Sequence, residues 1–366
     1  MKIRSKNLEL AQIKGIPIRI HWSFILILGY VAYVNYQAGN SLNEIIWALI
    51  YVLTLFLCVT LHELGHALAA LRYGVKTKSI TLYPIGGVAA LEKIPEKPGQ
   101  ELVVALAGPL VNVIIGGLLW LWVIFSPIEY RMEDIGIRIN AHNLVLNLAV
   151  VNVILVLFNL LPAFPMDGGR VFRSLLALAM DRVKATRIAM IVGQAMAILF
   201  VFWGFRANPF LILIGIFIFF GAAQEYQMVK SSGFLSKKKV KDALMTRFST
   251  LRPYHTLRDV MQLILSGSEK DFIVLNEEGH PIGIMTRDIL IDYLASGGKD
   301  LTVEECYQKT TVHFGPEADL DEAFKIMQSE GLSIVPVMYN EQLIGVINTE
   351  NILECMMMGE ALKNAS

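Results

Sequence analysis

Two histidines, His62 and His66, stand four residues apart with Glu63 directly after the first, inside the apolar run LFLCVTLHELGHALAALRYG at 55–74. On a helix, residues at this spacing share a face with their side chains about 5–6 Å apart. That is near enough for two imidazoles to reach one tetrahedral metal ion. Glu63 turns about 100° away from His62, given about 3.6 residues per turn. Its carboxylate then flanks the open position of such a metal and stays out of the ligand set. H-E-x-x-H is the pattern of zinc hydrolases in which the glutamate is the general base. The setting adds weight: a charged residue at the centre of a membrane helix costs about 2.5–3.5 kcal/mol on an insertion scale. Buried ionisable groups in membranes are functional by default. Structural zinc binding is worth about 10–16 kcal/mol in small domains, enough to offset that cost. The plainer alternative has the two histidines satisfied by interhelical hydrogen bonds.

Two histidines leave one protein ligand to find. The segment PMDGGR supplies Asp167, an acid beside a helix break and preceded by apolar residues. Its alternative role is to cap the segment that starts at Arg170. The other nearby acids, Glu92, Glu96 and Glu101, read as members of a polar loop.

The elements that must position these residues are membrane helices. Of 366 residues, 54% are hydrophobic and 17% charged, against about 25% charged in an ordinary soluble domain. A net charge of zero gives no reason to expect a nucleic-acid partner. Cys58, Cys306 and Cys355 are too scattered for a disulfide framework or a cysteine zinc site. The basic N-terminus precedes an apolar run with no small-residue cleavage site, which reads as a retained anchor. Candidate spans lie at 22–38, 44–72, 101–126, 141–162, 185–205 and 209–229. After the fourth, NLLPAFPMDGGR should be irregular or re-entrant, which is allowed at depth only where protein shields it or a polar cavity adjoins it.

Lys and Arg crowd one set of loops: Lys2 to Arg19, Arg72 to Lys97, Arg170 to Arg187, and Lys230 onward. The other set holds only Arg131, Arg138 and Arg206. Six spans with both termini in the cytosol follow. His62 lies ten residues before Arg72, so a metal there sits about 15 Å below the cytosolic surface. KTKSITLYPIGGVAAL (76–91), through Ile85 and Val88, reads as a β-hairpin whose edge could hold a substrate as an added strand.

Beyond residue 240 the composition becomes that of a soluble α/β domain, and it repeats. LRDVMQLI (257–264) matches LDEAFKIM (320–327), and DFIVLNEEGHPIGIMTRDIL (271–290) matches SIVPVMYNEQLIGVINTENIL (333–353). The two copies should pack against each other. The expected division is a membrane domain at 1–230, a linker at 231–241, repeats at 242–297 and 298–356, and a tail at 357–366.

HELGH, AGPLVN (107–112) and NLLPAFPMDGG together resemble the site-2 protease family of intramembrane zinc metalloproteases. The duplicated region resembles a pair of CBS (cystathionine-β-synthase) modules, an attachment seen in one prokaryotic branch of that family. The resemblance implies one Zn2+ per chain held by His62, His66 and Asp167, with Glu63 as base and Asn159 positioning the scissile peptide. It implies transmembrane protein substrates, a bilayer of the cytoplasmic membrane, and CBS modules in the cytosol. For the CBS pair it implies adenine-nucleotide binding or homodimer formation. The family's ribose-gripping turn is of the Ser/Thr-x-x-Asp type, whereas the copies here read TRDIL (286–290) and NTENIL (348–353), with Asp288 one residue early. A reading from another class is a CBS-gated transporter or channel, which leaves H-E-x-x-H unexplained.

Overall fold

The computed structural model describes residues 7–84, 86–91, 95, 97–136, 138–267, 269–298 and 300–365. It divides into two compact units, one ending at Gln227 and one beginning at Met228.

In the first unit β1 (Asn7–Ile13) and β2 (Ile16–His21) form a hairpin. Lys14 and Gly15 make its turn with φ of 49° and 82°, the paired left-handed conformation that tight hairpins favour. Then come α1 (Phe24–Gln37), α2 (Leu42–Leu71), β3 (Thr77–Tyr83), β4 (Gly86–Leu91), α3 (Pro98–Phe125), α4 (Leu144–Asn159), α5 (Asp167–Ala177), α6 (Arg182–Gly204) and α7 (Phe210–Leu235), the last of which continues past Gln227 into the second unit. Ser41 and Glu44 close a capping box at the start of α2, and proline stands at the start of α3.

In the first unit many large apolar side chains lie on the outside, and several polar ones lie inside. Phe125, Leu157, Phe202 and Phe220 are 65–81% exposed, while Thr60, Asn112, Asn152 and Arg173 are buried. Lipid selects that arrangement, because apolar tails are a good solvent for Leu and Phe and a poor one for amides and charges. Among the described residues four helices, α2, α3, α6 and α7, are long and apolar enough to cross a membrane. Of the six expected spans, α1 and α4 are shorter, with 14 and 16 residues. At about 1.5 Å per residue they reach about 21 and 24 Å. Strand β2 uses the chain up to His21, which delays the start of α1. Pro162 and Pro165 follow the end of α4, and neither can supply a helical N–H.

The expected hairpin is present as β3–β4, but it belongs to a larger sheet. The order is β1-β2-β3-β4, with β2 and β3 parallel (Ile18 opposite Ile80) and β4 at one edge. Ile85 lies outside the described residues, as do Glu92 and Glu96. Glu101 corrects the loop reading: it sits in the first turn of α3 and is buried.

The second unit holds the duplication. The first copy is β5 (Thr250–Leu251), α8 (Leu257–Ser266), β6 (Asp271–Leu275), β7 (Pro281–Thr286) and α9 (Arg287–Ala295). After α10 (Val303–Cys306) and β8 (Gln308–Lys309), the second copy is α11 (Leu320–Glu330), β9 (Ile334–Tyr339), β10 (Gln342–Asn348) and α12 (Thr349–Ala365). Ile273 and Ile284 of the first copy share one core with Val335, Val337 and Ile347 of the second. The copies therefore pack against each other, as expected of modules too small to bury a core singly.

Glycines fix the break before α5. A Cβ on Gly168 would run into the carbonyls of Leu160 and Leu161, whereas one on Gly117 would meet nothing within 4 Å. Overpacking costs about 1–3 kcal/mol. Gly168→Ala is therefore expected to lower the Tm of the protein in detergent, and Gly117→Ala to leave it unchanged.

Candidate metal centre

The last third of α2 carries His62, Glu63 and His66, and the first residue of α5 is Asp167. These elements bring His62, His66 and Asp167 together as the one group of potential metal ligands found among the described residues. The two Nε2 atoms lie 3.1 Å apart, and Asp167 Oδ2 is 3.1 Å from that of His62 and 3.0 Å from that of His66. Bonds of about 2.0–2.1 Å at tetrahedral angles hold ligand atoms about 3.3–3.4 Å apart. The trio is thus within a few tenths of an ångström of the spacing that one tetrahedral ion requires. All three residues are buried, with 6–8% of their surface exposed.

The surrounding hydrogen bonds decide where the imidazole protons are. Nδ1–H of His66 donates to the Val104 carbonyl over 2.7 Å. For His62 the protonation follows from a chain of amides. The Asn152 amide nitrogen donates to the Leu148 carbonyl (2.8 Å), and the Asn112 amide nitrogen donates to Asn152 Oδ1 (3.2 Å). That leaves Asn112 Oδ1 to accept from Nδ1–H of His62, at 2.8 Å. With both protons on Nδ1, each Nε2 offers a lone pair toward the Asp167 carboxylate oxygen. With both rings neutral, three acceptors face one point, a set that a divalent cation satisfies. Partners that fix the tautomer in this way are the usual outer shell of histidine metal sites.

Asp167 is not a cap. Met166 occupies the N-cap position of α5, and no side-chain capping bond is made there; the carboxylate is turned to the imidazoles. Glu63 is absent from the ligand trio. It lies under β4, where a Cβ on Gly87 would come within 2.9 Å of its Cγ. Asn159, the last residue of α4, donates to the Leu155 carbonyl of its own helix at 2.9 Å. Among the described hydrogen bonds nothing joins it to the trio.

Several residues of the centre went unseen in the sequence. Gly108 reads there as helix packing, yet a Cβ on it would collide with the Nε2 atoms of both histidines. Asn112 closes the AGPLVN motif, but its partner Asn152 is 40 residues away and carries no local signal. In the second unit the Thr286 hydroxyl accepts from the Ile289 amide, and Asn348 Oδ1 accepts from the Asn351 amide. Both positions of the supposed ribose-gripping turns thus serve as helix caps.

Comparison with known proteins places these features. A sequence profile of peptidase family M50 matches residues 50–136 and 126–203, and the CBS domain profile matches 240–296 and 303–357. A zinc metalloprotease of Methanocaldococcus jannaschii is 34% identical over 96% of this chain and 96% of its own. A relative from Synechocystis sp. is 26% identical over 98% of this chain and 97% of its own. Among solved structures, a site-2 protease from Methanocaldococcus jannaschii aligns with 38% identity over 60% of this chain and 95% of that one, with a TM-score of 0.44.

Loss of an outer-shell partner typically weakens metal affinity about 10–100-fold. Asn112→Leu is expected to lose zinc to a chelator titration within that range while the protein stays folded. Unchanged affinity would remove Asn112 from its place behind His62.

Proposed function

The chain belongs to peptidase family M50 and carries two CBS domains; on that footing we propose that it is a zinc metalloendopeptidase cutting a peptide bond in or near a transmembrane segment of a membrane-protein substrate. The observation that carries the reading is the convergence of two imidazole lone pairs and one carboxylate oxygen within 3.1 Å. Zinc held there would supply Lewis-acid chemistry, polarising water and the scissile carbonyl.

The chain's own residues do the rest. His62, His66 and Asp167 hold the metal. Glu63, beside them and outside the trio, takes a proton from the attacking water and delivers it to the leaving amine. Asn159 positions the scissile peptide. A peptide bond within an intact helix is shielded by its own hydrogen bonds, so the substrate must unwind locally. Strand β4 is an edge strand lying over Glu63, which supports an unwound segment adding to it as a further strand. Such a segment is aligned by main-chain bonds, and helix-breaking residues near the cut favour it.

The remaining parts of the reading rest on charge and on the repeat. Lys and Arg in alternate loops support a topology with both termini and the CBS pair in the cytosol and the helices in the cytoplasmic membrane. The CBS pair acts as the regulatory or dimerising module, with an adenine nucleotide as its ligand. The division at 1–230, 231–241, 242–297, 298–356 and 357–366 is kept as the working map of these roles.

Three outcomes test this reading. Glu63→Gln should keep stoichiometric zinc and lose cleavage of a transmembrane substrate, whereas Asp167→Ala should lose both; an active Glu63→Gln variant would remove the base. Val88→Pro, on the edge strand, should reduce cleavage by raising KM, and an unchanged rate would reject strand addition. Calorimetric titration of the full chain with ATP or AMP should give saturable heat; its absence would leave dimerisation as the CBS role.

A further inference from the structure

A second set of charges is buried in the first unit, away from the metal ligands. Arg173 of α5 is fully buried. Its Nε donates to Glu101 Oε1 of α3 at 3.0 Å, and a second guanidinium nitrogen, Nη2, bonds to the same oxygen. Its Nη1 donates to Glu225 Oε1 of α7 at 2.6 Å. Arg182 approaches the other Glu101 oxygen at 3.5 Å, and the Phe164 ring lies 4.9 Å from the guanidinium carbon. Two arginines and two glutamates thus form a net-neutral cluster: Arg182 opens α6, while Arg173 and its two glutamates join the three helices α3, α5 and α7. The guanidinium is forked and planar, so it fixes direction as well as distance.

Each of these helices bears on the metal centre. Six residues before Arg173, α5 begins with Asp167. On α3, Glu101 shares a buried face with Val104, Gly108 and Asn112. These are the carbonyl partner of His66, the glycine beneath both imidazoles and the amide behind His62. On α7, Glu225 stands one turn beyond Gly221, where a Cβ would come within 2.8 Å of Pro165 in the loop leading to Asp167. Helix α5 packs on α3 and α6, and the ionic fork adds a directional tie from it to α3 and to α7.

We infer that Arg173, clamped by Glu101 and Glu225, is a positioning residue for the metal centre: it fixes α5 against α3 and α7 so that the Asp167 carboxylate meets the two imidazoles at ligand spacing. The alternative is that the cluster only holds the bundle together. Buried ion clusters can often be replaced by apolar residues of similar size without loss of stability, and this allows the two roles to be separated.

The inference rests on His62, His66 and Asp167 being the metal ligands, which zinc analysis of the wild-type protein tests separately. The experiment compares wild type, Arg173→Lys and the triple variant Arg173→Met/Glu101→Met/Glu225→Met in the full-length protein. Readouts are the visible spectrum of the Co2+-loaded protein, zinc affinity by chelator competition, and Tm. Arg173→Met alone removes the guanidinium that both carboxylates share and could fail to fold; the triple variant removes the two carboxylates with it. The expected result is a triple variant with a Tm near that of wild type, an altered Co2+ spectrum, and zinc affinity reduced about 10–100-fold. Arg173→Lys, which keeps charge but not the fork, should fall between. A Co2+ spectrum and zinc affinity equal to wild type in the triple variant would overturn the inference, as would a triple variant that fails to fold beside an Arg173→Lys variant whose two metal readouts equal those of wild type. Wild type without zinc would instead overturn the metalloprotease reading.

Discussion

Lone pairs repel, and a low-dielectric interior screens them poorly. Two imidazole nitrogens and a carboxylate oxygen lie within 3.1 Å of one another; with both rings neutral and their protons on Nδ1, they need positive charge at their centre. Much of the first unit follows from that constraint. Helix α2 supplies two donors because residues four apart share a face. The third must arrive from another segment, so α4 stops early and the chain turns back through Pro162 and Pro165 to start α5 at Asp167.

Helix α3 contributes no ligand, yet one of its faces governs the site. Along it run a carboxylate that holds α5, a carbonyl that sets the His66 tautomer, a glycine that leaves room for the imidazoles, and an amide that sets the His62 tautomer. The spacing of these residues keeps them within a narrow angular range over three helical turns. A site built on rigid helices and backed by fixed hydrogen bonds holds its geometry better than one built on loops. This explains how a hydrolytic centre persists among helices whose outer surface is almost wholly apolar.

The sequence disclosed whatever was local. His62, Glu63 and His66 are readable because helical periodicity alone brings them together. The repeat was readable because both copies keep the same apolar pattern, and Ile273, Ile284, Val335 and Ile347 occupy equivalent strands of one core. Asp167 was an acid beside a helix break, with a capping role as its rival until the fold turned it toward α2. What remained hidden depends on tertiary distance. Asn112 finds Asn152 across two helices, and Glu101 looked like loop because its partner Arg173 lies 72 positions further on. Arg173 in turn counted as a topogenic positive charge, although it is neutralised inside the protein. The hairpin β1–β2 carried a usable signal, alternation around Lys14–Gly15, which the basic character of the N-terminus obscured.

X-ray absorption at the zinc edge of the purified full-length protein tests the central claim most directly. The account expects one zinc per chain, with nitrogen and oxygen neighbours at about 2.0–2.2 Å and the multiple-scattering signature of two imidazoles. A spectrum without zinc, with sulfur at about 2.3 Å, or with the signature of fewer than two imidazoles would contradict it.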